Sequence, residues 1–150
     1  MQFPDIASLV PHAKPMLLVD SVITADAENL SAELLIRDDS LFCADGAVGA
    51  WVGLEYMAQT VAAHAGYLAH LEGVPIKPGM LLGTRDYRCS TSSFPSGTKL
   101  RIHVKRLFVA DNGIGSYACK IDDTENELAG ATLTVFNSVS PDIFADEAVS

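Results

Sequence analysis

The spacing of apolar residues along the chain changes period twice, dividing it into strand, helix and strand regions. Residues 6–11 read as a short helical turn or coil ended by Pro11. Beyond Pro15, the run Met16, Leu17, Leu18, Val19 suits a buried strand reaching about Thr24. Leu30 to Ile36 predicts a second strand, joined to the first by a turn containing Asp26, Glu28 and Asn29. From Ala47 to Glu72 the pattern predicts one long helix. It is free of Pro, rich in Ala and Gly, and apolar nearly all round, so it must be buried on most faces. Its small residues, among them Gly49, Ala50, Gly53, Ala63 and Gly66, let neighbouring backbone approach closely. Gly73 and Pro75 end it.

Four further strands follow. Met80 to Cys89 is one. Lys99 to Val109 alternates, with Lys99, Arg101, His103 and Lys105 on one side and Leu100, Ile102 and Val104 on the other. Asp111-Asn112-Gly113 signals a tight turn before Ile114 to Ile121, and Leu128 to Asn137 completes an antiparallel meander. No repeat, low-complexity tract or linker divides the chain. The expectation is a single α+β domain over residues 1–150, with its core at about 9–137 and a loosely attached tail at 138–150. A helix without a polar face needs a wrapping, and one curved antiparallel sheet around one central helix is the economical solution.

Charge changes the picture by exclusion. Ten Lys plus Arg against nineteen Asp plus Glu give a formal net charge of -9, which disfavours nucleic acid and anionic lipid as partners. Residues 47–71 are long enough to span a bilayer, but Glu55, Gln59, His64 and His70 and the lack of an aromatic belt argue against a membrane span. Cys43, Cys89 and Cys119 are odd in number and form no CxxC pair, as expected in a reducing compartment. With no signal peptide visible at Met1–Asp5, the expected location is cytoplasmic.

Candidate chemistry centres on Glu55. A carboxylate inside an apolar helix costs several kcal/mol or takes up a proton unless it is partnered. Gln59, one turn on, shares its face. Glu55 is therefore either a functional acid or a structural one bonded to Gln59 or across a dimer seam. None of the four histidines has metal-ligand spacing, so no metal and no cofactor is expected. His103 reads as a solvated strand residue. His12, in a loop after Pro11, is either a loop cap or an active-site group. Cys43, just ahead of the expected helix start, is either a small buried residue or a thiol acidified by the helix dipole. Neither a Ser/His/Asp nor a Cys/His arrangement has a local signature, and no phosphate-binding glycine loop follows a strand. Lys99, Arg101 and Lys105, with Arg85, Arg88 and Arg106, form either a solvated face or a docking patch for an acidic partner.

Several segments together resemble one family. Pro11-His12-Ala13-Lys14-Pro15-Met16-Leu17-Leu18-Val19-Asp20 resembles the opening of the 3-hydroxyacyl-(acyl carrier protein) dehydratases. Gly53-Leu54-Glu55-Tyr56-Met57-Ala58-Gln59 resembles their helix motif, Leu82 to Arg88 their next strand, and Phe94-Pro95-Ser96-Gly97 the turn after it. The match is closest to the divergent branch associated with aryl polyene gene clusters, the ApeP type. The resemblance implies a hotdog fold, a homodimer or a heterodimer with another hotdog subunit, and an acyl thioester on acyl carrier protein or coenzyme A as substrate. It implies removal of water from a 3-hydroxyacyl thioester to give a trans-2-enoyl thioester. Glu55 takes the catalytic carboxylate role, and Gly49, Ala50 and Gln59 are the candidate substrate-binding residues, the first two where the family offers helix-N-terminal amides. The family histidine is replaced: its position falls on or near Leu41, in Ser40-Leu41-Phe42-Cys43. His12 substitutes for it, a partner subunit supplies the base, or the chain only binds. A thioesterase using the helix carboxylate is a further alternative.

Overall fold

A computed structural model describes residues 3–10, 17–75 and 80–136. A 3-10 turn at Ile6–Ser8 precedes β1 (Ser21–Ala25) and β2 (Asn29–Leu35). Two short strands, β3 (Cys43–Ala44) and β4 (Ala47–Gly49), and a 3-10 turn at Ala50–Val52 lead into the helix α1 (Gly53–Glu72). Then come β5 (Met80–Cys89), β6 (Ser93–Pro95), β7 (Lys99–Val109), β8 (Ile114–Asp122) and β9 (Glu127–Phe136). Among the described residues six strands form one antiparallel sheet in the order β1-β2-β7-β8-β9-β5, and β3, β4 and β6 form a small second sheet. This is the expected curved sheet around one helix. His12 and the tail 138–150 lie outside the described residues.

Strand alternation decides which face meets α1. Leu30, Ala32 and Leu34 of β2 and Leu100, Ile102 and Val104 of β7 are all buried, and their register pairs them across the two strands. Ile121 and Tyr117 of β8 and Leu133 of β9 continue this inner layer. Each fully buried Leu or Ile contributes roughly 1.5–3 kcal/mol of transfer free energy. From the helix side, Met57, Val61, Ala63 and Tyr56 complete the core. The turn before β2 is built as its residues dictate, with the Asp26 carboxylate accepting the backbone N–H groups of Glu28 and Asn29. α1 ends at Gly73, whose φ of 69° is left-handed; Val74 N–H returns to Ala69 O and Gly73 N–H to His70 O.

The helix starts later than its apolar pattern predicts. Asp45 (φ 53°) and Gly46 (φ 79°) form a left-handed two-residue turn, and that turn folds Ala47–Gly49 back on Cys43–Ala44 as β4. The Asp-Gly dipeptide carries that signal in the sequence; apolar continuity from Ala47 onward hides it. No described helix is long and apolar enough to cross a membrane.

Two buried contacts fix α1 in its shell. At Gly66 an added Cβ would lie 1.9 Å from the carbonyl oxygen of Leu9, so the N-terminal segment crosses the helix there in direct backbone contact. His64 is fully buried; its Nδ1 lies 2.9 Å from the Tyr117 hydroxyl and its Nε2 3.0 Å from Asp26 O. Because a carbonyl only accepts, Nε2 carries the proton and Nδ1 accepts from Tyr117. Burial lowers the His64 pKa and raises that of Tyr117 to about 12, so both stay neutral.

Gly66→Ala gains about 1 kcal/mol of helix propensity. It loses more, because the neighbour that must yield is backbone and overpacking costs roughly 1–3 kcal/mol or more. A lower thermal midpoint than wild type is therefore expected. For His64 the folded pKa lies below the unfolded value of 6.5. The unfolded chain therefore binds the proton first, and stability is complete above about pH 6.5 and declines as pH falls through that value. Urea midpoints measured between pH 7.5 and 5.5 should drop, with a shallower slope in His64→Gln.

Candidate functional site

Glu55 lies in the first turn of α1. Its Oε1 accepts a 3.1 Å hydrogen bond from Nε2 of Gln59. Gln59 is fully buried, and its Oε1 accepts the backbone N–H of Leu18 at 2.8 Å. The Leu18 bond fixes which end of the amide faces Glu55. A backbone donor from the segment before β1 thus orients the acid through one intervening side chain. Glu55 and Gln59 share one face of α1, and exposure falls from Trp51 in the preceding 3-10 turn (68% exposed) through half-buried Glu55 to enclosed Gln59. Glu55 is thus less enclosed than its apolar flanks imply, because it sits one turn nearer the open end.

A groove of about 480 Å³ adjoins this network, since Leu18 belongs to both. Leu34, Leu41 and Tyr56 also line it, together with Asp20 and Arg37, which form an ion pair at 3.6 Å. Burial pushes the Tyr56 phenol well above its ordinary pKa, so it stays protonated and serves as wall rather than base. Leu41, on or near which the resemblance places the family histidine, has a nonpolar side chain that cannot take up a proton.

The remaining candidates are placed differently from their sequence reading. Gly49 and Ala50 do not start the α-helix. Gly49 is the last residue of β4 and lies beneath the Trp51 ring, where an added Cβ would be 2.5 Å from Nε1. The Ala50 N–H donates to Ser92 O at 3.0 Å, so it is engaged within the fold. Its carbonyl accepts the Tyr87 hydroxyl, and Gly53 leaves room for that ring, since a Cβ there would lie 2.5 Å from Oη. Tyr87, part of a strand motif in the sequence, is thus the clamp on the turn that launches α1; burial raises its pKa to about 12. Gln59, a candidate substrate contact, has no exposed surface and orients Glu55 instead. Cys43 is half-buried in β3, separated from α1 by β4 and the 3-10 turn, so it is not at the helix N-terminus.

His12 lies outside the described residues. The other three histidines serve elsewhere. His64 has both nitrogens bonded within the core, and His70 is fifteen residues along the helix from Glu55, about 22 Å at 1.5 Å per residue. His103 is on β7, on the sheet face away from α1, and bonded at both nitrogens rather than merely solvated. Among the described residues no group of three or more His, Cys, Asp or Glu is arranged to hold a metal.

Comparison with known proteins agrees with the fold. A chain of the dehydratase heterocomplex ApeI:P from Xenorhabdus doucetiae superposes with a TM-score of 0.85 at 25% identity, covering 91% of this chain and 92% of that one. A hypothetical thioesterase from Streptococcus pneumoniae, solved with coenzyme A, gives 0.62 at 11% identity over 79% and 87%. The smu.793 protein of Streptococcus mutans, bound to acetyl coenzyme A, gives 0.60 at 14% identity over 77% and 86%. These last two share the hotdog fold. A search of curated proteins finds no match. The ApeP-like family model, described as ApeP dehydratase, matches residues 4–146, and the chain accordingly belongs to the ApeP-like dehydratase family.

Proposed function

We propose that this chain is a dehydratase subunit that removes water from 3-hydroxyacyl thioesters to give trans-2-enoyl thioesters, in fatty acid or aryl polyene type biosynthesis. The observation that carries this reading is the Leu18–Gln59–Glu55 chain of hydrogen bonds, which ties one half-buried carboxyl group to a residue on the groove wall. In the proposed reaction a base takes the proton from the carbon alpha to the thioester. The carbon–oxygen bond at the beta carbon then breaks, and Glu55, in its carboxylic acid form, gives its proton to the departing hydroxyl, which leaves as water. Gln59 is a positioning residue that holds the carboxylate toward the substrate. The acyl group rides on acyl carrier protein or coenzyme A.

The base is the open half of this scheme. His12 is one source. A second reading, favoured by Leu41 on or near the histidine position, is that another hotdog subunit supplies the base and this chain the acid, or that this chain only pairs with an active dehydratase. The ApeI:P assembly is a dehydratase heterocomplex. In this chain β5 pairs only with β9 among the described strands and carries Leu81 and Leu82 at 42% and 49% exposure, an apolar edge suited to a partner strand. A thioesterase acting through Glu55 would release free thiol instead of water.

Mass spectrometry of a 3-hydroxyacyl carrier protein incubated with the pure chain, or with a mixed assembly, should register loss of water. Glu55→Gln should slow that loss by about 10²–10⁴-fold. Gln59→Leu should lower kcat by up to about 10²-fold with little change in KM, because the acid loses its aim rather than its chemistry. Unchanged turnover in Glu55→Gln would overturn the assignment. Co-expression with a histidine-bearing dehydratase subunit separates the two sources of base. Activity only in the mixture, lost on removing that subunit's histidine, supports the shared site; full activity of this chain alone excludes it.

A further inference from the structure

The face of the six-stranded sheet turned away from α1 brings together three residues that are distant in sequence. β2 and β7 pair Ser31 with His103, and β7 and β8 pair His103 with Lys120; Asp122 lies two residues beyond Lys120 on the same face. Ser31 Oγ is 2.6 Å from His103 Nδ1, and His103 Nε2 is 2.8 Å from Asp122 Oδ2. A carboxylate accepts the Nε2 proton, which leaves the Nδ1 lone pair facing the serine hydroxyl. The His103 and Asp122 side chains are only 30% and 23% exposed, so the relay is partly sheltered from water. The roles of the two ring nitrogens are exchanged relative to the usual serine hydrolase triad, but each nitrogen is basic in the tautomer that exposes it.

Ser31 and His103 line a trough of about 590 Å³, within the size range of small-molecule sites. Ala118, Gly130 and Thr132 leave space in its floor, and Lys105 and Lys120 line it beside Ser31 and His103. On a chain of net charge -9, the trough gathers Arg88, Lys105 and Lys120 against the carboxylates Asp86 and Glu127, a local excess of positive charge that favours a developing negative charge.

We propose that this trough is a second, separate acyl-transfer site, in which Ser31 is the nucleophile toward short acyl esters and thioesters. Ser31 Oγ forms a bond to the acyl carbon as its proton passes to His103 Nδ1. The carbon–oxygen or carbon–sulfur bond breaks, and His103 returns the proton to the leaving alcohol or thiol. Water then attacks the acyl-serine with its proton going to His103, which hands it to Ser31 Oγ as the carboxylic acid departs. Asp122 stays ionised and holds the imidazolium. Lys105 and Lys120 stabilise the tetrahedral oxyanion. The site uses neither Glu55 nor Gln59.

The test treats the intact wild-type chain with a fluorophosphonate and maps the adduct by peptide mass spectrometry, alongside hydrolysis of 4-nitrophenyl acetate. A single adduct on Ser31 is expected, together with hydrolysis that falls at least about 10²-fold in Ser31→Ala and His103→Gln. Asp122→Asn keeps the side-chain shape and should also lose rate through the wrong tautomer. Glu55→Gln should retain both labelling and hydrolysis, which separates this site from the dehydratase reading. No adduct, an adduct elsewhere, or hydrolysis unchanged in Ser31→Ala overturns the proposal; mapping on the wild-type chain does not depend on any variant folding.

Discussion

Everything in this molecule is arranged around a helix with too little polarity to stand in water. α1 has no broad charged face, so its stability must come from enclosure rather than from its own amphipathicity. The sheet supplies that enclosure through β2, β7, β8 and β9, and the N-terminal segment closes over Gly66. Three buried polar side chains of α1 are answered. His64 has Tyr117 and Asp26, Thr60 donates to Tyr56 O, and Gln59 has Leu18 and Glu55. Leaving any one of them unanswered would cost about 1–3 kcal/mol, a large share of a domain's net stability.

Glu55 benefits from this arrangement without being fully inside it. Its partner Gln59 is held from the rear by a backbone amide, so the carboxyl group is tethered by the fold while staying half-exposed. A wholly buried acid would lose its hydration, and a wholly exposed one would wander among rotamers. The half-buried position at the first helical turn lies between these limits.

Much of the fold was legible in the sequence, because long-period apolar patterning reports burial directly. β5 and β7 run over the residues their patterns mark, and the Gly73 stop falls where expected. The lead-in to α1 was not legible in the same way. Val48 and Val52 read as helix from their apolar character, but the backbone choice there belongs to Asp45 and Gly46, whose left-handed turn diverts three residues into a strand. Of the candidate site, the Glu55–Gln59 pair follows from i,i+4 geometry, while the Leu18 bond spans 41 residues and has no local trace. Ser31, His103 and Asp122 are likewise joined only by strand register, which alternation alone does not fix.

The exposed rim beside Glu55 has an optical consequence. The chain has one tryptophan, Trp51, which is 68% exposed and packs edge-on against Phe42 with ring centroids 5.5 Å apart. Its indole already meets solvent in the folded state, so its emission reports poorly on the core and well on whatever comes to rest against the mouth of the helix. The protein therefore carries a built-in fluorophore for contact at that rim.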